Sequence, residues 1–231
     1  MSHKEQLRGQ RVDTVINTIS KHQEVSLVNA VDEVKVELLK KFEGIKLDWV
    51  SALHLVDVVN GLRKSFPEIS FAEPQSTSTM KPDGGILYMV DKSGNKYPIL
   101  ITEKKNQGTN DIRKSEGKKK QAKGNAIERL GKNVIGLRTA LLTENIFPFV
   151  CFGDGCDFAD GSSILDRVLT IAMFGELNVE HVTNESNYFN RGTFYFRSEQ
   201  WTQEEMRDKS LSVAIKSVHY YFSKYGEQAF V

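Results

Sequence analysis

Residues 81–105 read KPDGGILYMVDKSGNKYPILITEKK, and the rest of the chain is organised around them. Two apolar, β-rich runs, 86–90 and 97–102, flank Asp91-Lys92-Ser93-Gly94-Asn95, a cluster of turn-forming residues. That is the pattern of a β-hairpin. In a hairpin the numbers of paired residues add to a constant, so a turn centred on Ser93 sets Asp83 opposite Glu103. Strand side chains alternate faces, which sends Glu103 and Lys105 the same way. On this reading two carboxylates and one ammonium converge at one end of the hairpin.

Asp83 and Glu103 offer hard oxygen ligands suited to Mg²⁺, which proteins hold with one or two carboxylates and leave partly hydrated. Such a cation polarises a phosphate, lowers the pKa of an attacking water and steadies the leaving oxygen. Lys105 would orient or help deprotonate that water, or stabilise charge on a pentacoordinate phosphorus. Pro-Asp, about twenty residues, then Glu-x-Lys is thus the outline of a metal-dependent phosphodiesterase centre. Taken alone it is equally the outline of a common turn followed by a solvated strand end.

At 231 residues the chain suits one large domain, or one domain with an appended arm. Its apolar fraction of 39% and charged fraction of 26% are those of a soluble globular protein. No run approaches the length of a membrane span, and MSHKEQLRGQR lacks the apolar core of a signal peptide, so a cytoplasmic protein is expected. Cys151 and Cys156 have neither redox nor zinc spacing and read as a reduced, partly buried pair. The five histidines are dispersed, which argues against a histidine–metal nuclease.

Net charge is only +1, but its distribution is uneven. From Lys104 to Arg138 the chain carries eleven basic residues against three acids, Asp111, Glu116 and Glu128. A basic tract directly after the acidic cluster suits a polyanion laid across it. The plainer reading is a solvated Lys-rich loop, and both hold if that loop orders on nucleic acid.

Helical spacing predicts two helices within 1–45, one striped by Val12, Val15, Ile16 and Ile19 and the other by Val34, Val36, Leu38 and Leu39. Another is expected over 47–66, with a core stripe of Trp49, Leu53, Val56, Val59 and Leu62, ended by Pro67. A short strand at 69–72 leads into a polar run. Ile127, Leu130, Val134, Leu137 and Leu141 step by three and four, an amphipathic helix that Asn125 and Glu128 would cap. Asn125 and Arg129 share a face of its first turn, and Asn and Arg are the side chains suited to bidentate reading of purines. FPFVCF at 147–152 reads as a buried strand, 163–174 as a buried helix, 193–196 as a strand and 206–221 as a terminal helix.

Three motifs in order carry a resemblance: Lys81-Pro82-Asp83-Gly84-Gly85, then Glu103-Lys104-Lys105-Asn106-Gln107-Gly108, then Gly124-Asn125-Ala126-Ile127-Glu128-Arg129. Together they resemble the EcoRI type II restriction endonuclease family, over about residues 55–180. The resemblance implies an α/β fold, a central mixed β-sheet flanked by helices with a PD-(D/E)XK centre. One domain over 1–231 is expected, with a helical part at 1–66, a catalytic and DNA-recognition core at 67–180 and a C-terminal strand and helix at 181–231.

It further implies a homodimer that cuts both strands of a short palindrome in double-stranded DNA, matched in symmetry to its site. Asp83 and Glu103 would be ligands of Mg²⁺ and Lys105 the catalytic lysine. Asn125 and Arg129 would read adenines of an AATT core, and Glu128 would link the recognition helices of the two subunits. Gly124 and Ala126 would let the backbone approach the bases, while Lys81, Gln107 and Arg167 would complete the DNA contacts. A DNA adenine methyltransferase acting on the same site, without a stable complex, would be the cognate partner. Lys123 and Ile164 depart from the family's type member, and the region after Phe158 is shorter, which leaves the outer base pair open. Lys123 would read an outer guanine. Two other functions remain open on the sequence: a binding protein built on a decayed nuclease, and a repair or modification-dependent nuclease on the same scaffold.

Overall fold

The computed structural model describes residues 15–106, 117, 125–155, 158, 163–173, 175–183 and 191–231. The elements run α1 (Val15–Lys41), β1 (Lys46–Val50), β2 (Leu53–His54), α2 (Leu55–Ser65), β3 (Thr79–Met80), β4 (Ile86–Val90) and β5 (Lys96–Asn106). There follow α3 (Asn125–Ala140), β6 (Phe149–Asp154), α4 (Ser163–Ile171), β7 (Thr193–Arg197) and α5 (Gln203–Tyr225). The main sheet has the order β1-β4-β5-β6-β7. Its first three strands pair antiparallel and its last three parallel, so it is the expected mixed sheet flanked by helices.

Strand alternation divides the apolar side chains between two layers. Val150, Phe152 and Tyr195 face α1 and α5, whereas Phe149, Cys151, Phe194 and Phe196 face α3 and α4. α1 presents Leu27, Ala30, Val31, Val34 and Leu38 to the first layer, a stripe at helical spacing and fully buried. In α3 the predicted stripe of Ile127, Leu130, Val134, Leu137 and Leu141 is buried in the second. β6 is buried along its whole length, as its unbroken apolar run requires.

Three expectations are overturned. Among the described residues of 1–45 there is one continuous helix rather than two, and Val36 and Leu39 lie half exposed on its outer side. The helix expected over 47–66 starts only at Leu55, because Lys46–Val50 is recruited as an edge strand beside β4. α2 buries none of its side chains fully, and Leu55 and Val58, rather than the predicted Val56, Val59 and Leu62, pack against the second layer. Residues 69–72 form no strand; the short partner of β2 is Thr79–Met80 instead.

The hairpin holds, with one slip that decides its chemistry. Val90↔Lys96, Met89↔Tyr97 and Tyr88↔Pro98 keep the expected constant sum. The register then shifts, and Leu87 pairs Leu100 while Ile86 pairs Ile101. Ile99 is the extra residue of a β-bulge. Neighbouring Ile99 and Leu100 therefore both enter the α1/α5 layer, and Ile101 turns to the α3/α4 layer. Every later side chain of β5 follows that reset. No helix among the described residues is long and apolar enough to cross a membrane.

Candidate active site

The bulge sends Glu103 and Lys105 to the sheet face covered by α3, at the end where β5 runs past β4. Asp83 reaches them from the turn before β4. Pro82 accepts a hydrogen bond from Gly85 N at 3.0 Å, which closes a reverse turn around Asp83. Gly84 N donates to the Thr102 carbonyl at 3.0 Å, stitching that turn to β5. Because of the slip, Asp83 faces Lys104 rather than lying squarely opposite Glu103. Its Oδ2 accepts the Lys104 amide at 3.0 Å, and its own amide donates to Glu103 Oε2 at 3.2 Å.

The two glycines of the turn are required by close approach. A Cβ on Gly84 would lie 2.0 Å from Thr102 Oγ1 and 3.0 Å from Leu27 of α1. Gly85 has φ +78°, and a Cβ there would meet the Trp49 indole at 2.5 Å. The Trp49 indole N–H donates to the Gly84 carbonyl at 3.0 Å. This is why 46–50 is worth a strand: it clamps the turn that holds Asp83.

The Lys105 ammonium sits between the carboxylates. It donates to Asp83 Oδ2 at 3.3 Å, to the Lys104 carbonyl at 3.0 Å and, in a short contact, to Glu103 Oε1. All three of its donors are used. Burial works to lower the Lys105 pKa, but the charges of Glu103 and Asp83 outweigh it and hold the group well above the usual lysine range. Burial raises the Glu103 carboxyl, opposed by Lys105 and reinforced by Asp83. Glu103 is 1% exposed, whereas Asp83 and Lys105 are half-buried and open to the surface.

A partly open Asp83 beside an enclosed Glu103 supplies the two carboxylates that Mg²⁺ accepts, since it keeps several waters and needs no all-protein cage. Among the described residues no group of three or more His, Cys, Asp or Glu gathers to form such a cage. The residues present thus fit a hydrated hard cation held by Asp83 and Glu103, and do not fit a closed zinc site.

The remaining predicted residues are distributed as follows. Lys81 is exposed just before the turn, and Glu128 and Arg129 are exposed in the first turn of α3. Arg167 is exposed on α4 beside Asp166. Asn125 and Ala126 begin α3, but their side chains, like Gln107, Lys123, Gly124 and most of the basic tract, lie outside the described residues, as does Cys156. Cys151 is free and buried beneath the site, and burial pushes its thiol well up.

Three neighbours of the cluster carry no sequence signal. Asn133 of α3 donates to Glu103 Oε1 at 3.2 Å. From α1, Gln23 accepts a hydrogen bond from Asn106 at 2.8 Å, and the adjoining Glu24 carboxyl is held up by partial burial and by the charge of Asp83. Nothing in a local pattern foretells that the N-terminal helix reaches the end of β5.

Asp83, Glu103 and Lys105 thus stand together on one strand end of a mixed sheet and its preceding turn, in the order Pro-Asp…Glu-x-Lys. Residues 9–165 match the family described as Restriction endonuclease EcoRI, and the chain belongs to that family. It is 28% identical to the type II restriction enzyme RsrI of Cereibacter sphaeroides, over 89% of this chain and 87% of that one. It is also 30% identical to the type II restriction enzyme EcoRI of Escherichia coli, over 54% of this chain and 48% of that one. Type II restriction enzymes are endodeoxyribonucleases that act on double-stranded DNA, and enzymes of this family generally depend on a divalent metal.

Proposed function

We propose that this chain is a Mg²⁺-dependent type II endodeoxyribonuclease that cuts both strands of a short palindrome with an AATT core. The observation that carries the proposal is the cluster itself. Asp83 and Glu103 are joined through backbone and side chain across the hairpin, with Lys105 between them. A decayed site would be expected to have lost one of the three. Asp83 and Glu103 would hold the cation, which when bound polarises the scissile phosphate and activates water.

The chain's own groups do the positioning. The Glu103 carboxylate is held from three sides, by the Asp83 amide, Lys105 and Asn133. Lys105, held between the two carboxylates, would turn an N–H to orient the attacking water and to meet charge on phosphorus. Asn125 and Arg129 read adenine edges, Gly124 and Ala126 admit the backbone to the groove, and Lys123 reads the outer pair. Glu128 links the two recognition helices, while Lys81, Gln107 and Arg167 engage the remaining DNA contacts. The active form is a cytoplasmic homodimer of single-domain subunits, its host site protected by a separate adenine methyltransferase.

Digestion of a randomised DNA library with and without Mg²⁺, followed by sequencing of the cut ends, tests the reading. AATT-centred palindromic ends are expected, and the outer pair is read in the same experiment. Glu103→Ala should abolish cleavage and leave DNA binding largely intact; retained Mg²⁺-dependent cutting sinks the assignment. Lys123→Ala should relax the outer base pair while AATT remains required. An unchanged site removes Lys123 from the readout.

A further inference from the structure

α3 enters the structure through its exposed first turn and touches the acidic cluster two turns later. Asn133 Nδ2 donates to Glu103 Oε1, and among the described residues Asn133 is the one side chain outside the hairpin that bonds either carboxylate of Asp83 or Glu103. Its partner has little freedom otherwise. Glu103 Oε1 also takes Lys105, and Oε2 takes the Asp83 amide. The Asn133 bond is the contact that ties this carboxylate, otherwise held within the hairpin, to the helix.

The helix is a stiff link. Arg129 and Asn133 are four residues apart, one turn and about 6 Å along the axis, and Asn125 is one turn further back. Successive residues at that spacing stay on one side of a helix. Ile127, Leu130, Val134 and Leu137 bury the adjoining side, so the first turn and Asn133 move as one body. At 3.2 Å the Asn133–Glu103 bond is at the long end of the N–H···O range. A small shift of α3 in one direction tightens it, and in the other breaks it.

We infer that Asn133 is a positioning residue that couples the seating of α3 on DNA to the orientation of the Glu103 carboxylate. This rests on the nuclease reading above. A correctly seated α3 draws Asn133 onto Glu103 Oε1 and completes the arrangement. An α3 seated on a wrong sequence leaves the bond slack and Glu103 held by the hairpin contacts alone. Discrimination is then exercised in the cleavage step as well as in binding.

The test uses Asn133→Ala, the isosteric Asn133→Asp, which replaces the donor with a second carboxylate, and Asn133→Gln, which restores an amide. Single-turnover cleavage is measured on the best site from the library and on sites differing by one base pair. DNA affinity without Mg²⁺ and thermal melting are measured alongside. Ala and Asp are expected to cut the best site about 10- to 100-fold slower, the usual cost of removing such a supporting hydrogen bond. Metal-free affinity and melting should stay near wild type, and the rate ratio between best and altered sites should shrink. Gln should recover part of both rate and ratio. Wild-type rates in the Ala and Asp variants overturn the proposal, as does an equal slowing on every site, which would make Asn133 a plain support. A wild-type enzyme that cuts no DNA with Mg²⁺ overturns the nuclease reading and this coupling with it. Normal wild-type cutting with unaffected variants overturns the coupling alone.

Discussion

Lys104 and Asp154 form an ion pair on the face of the sheet away from Glu103, with 2% and 3% of their side chains exposed. The Lys104 backbone meanwhile serves the near face, its amide bound to Asp83 and its carbonyl to Lys105. One residue thus anchors the cluster from behind. Asp154 also accepts the Trp201 amide at 3.1 Å, and the Trp201 indole donates to the Gly153 carbonyl at 3.0 Å, which ties the start of α5 to β6.

Removing one member of this pair strands a buried charge. Lys104→Met, which strands the Asp154 carboxylate, is expected to destabilise the fold by about 3–5 kcal/mol in urea melts. The charge left by Asp154→Ala costs less, because burial already lowers the Lys104 pKa and the stranded ammonium can shed its proton. Lys104→Met with Asp154→Leu should recover most of the loss. A residual deficit of about 1–3 kcal/mol is expected from the orphaned Trp201 amide. A double variant as unstable as Lys104→Met would show that the charges themselves are not the source.

Gly84→Ala tests the turn that holds Asp83. The added methyl meets Thr102 Oγ1 and pushes the turn off β5, displacing the carboxylate by a fraction of an ångström or more. Single-turnover cleavage should fall about 100-fold, the scale of such a misplacement. Combining it with Thr102→Ala, which removes the obstructing oxygen, should return part of the rate. Equal rates in the single and double variants would place the obstruction elsewhere, at Leu27.

Glu205 gives a pH prediction away from the cluster. It closes the capping box of α5 with Thr202 and accepts two hydrogen bonds from Arg197, whose guanidinium also stacks on Trp201 at 3.7 Å. The Arg197 and Thr202 bonds depress its carboxyl to about 2. A depressed carboxylate stabilises the fold above its unfolded-state pKa, and that share is lost as pH falls through the folded value. Glu205→Gln should therefore melt below wild type at pH 7, and the gap should close between about pH 4.5 and 2. A gap independent of pH would show that the side chain acts through packing rather than charge.

Much of this architecture could be read from local pattern. The hairpin, the buried run of β6, the stripe of α3 and the Pro-Asp…Glu-x-Lys order depend on neighbours in sequence, and each is found where its periodicity points. The failures share a physical cause. Trp49 and Leu53 fit a helical stripe, yet Trp49 is spent on a hydrogen bond to Gly84, a partner chosen by tertiary structure. Val36 and Leu39 were apolar enough to suggest core but face outward on α1. Asn133 stands off the apolar stripe and looks like any polar surface residue until β5 is placed beneath it. The bulge has one signal, Pro98 directly before Ile99, since a proline cannot donate to a ladder and within a strand marks an edge or a bulge. It does not say which residue is the extra one.

That bulge makes the cluster a matter of parity. Tyr97 and Ile99 look toward α1 and α5, and an unbroken alternation would have carried Glu103 and Lys105 to the same side, behind the sheet and away from α3. A single supernumerary residue turns them to the front. Loss or gain of one residue between Pro98 and Ile101 would invert the strand end, while a change of two would restore its sense at the cost of reach. The length of β5 is consequently a constraint of a different kind from the identity of its residues: chemistry at this edge tolerates even steps and forbids odd ones.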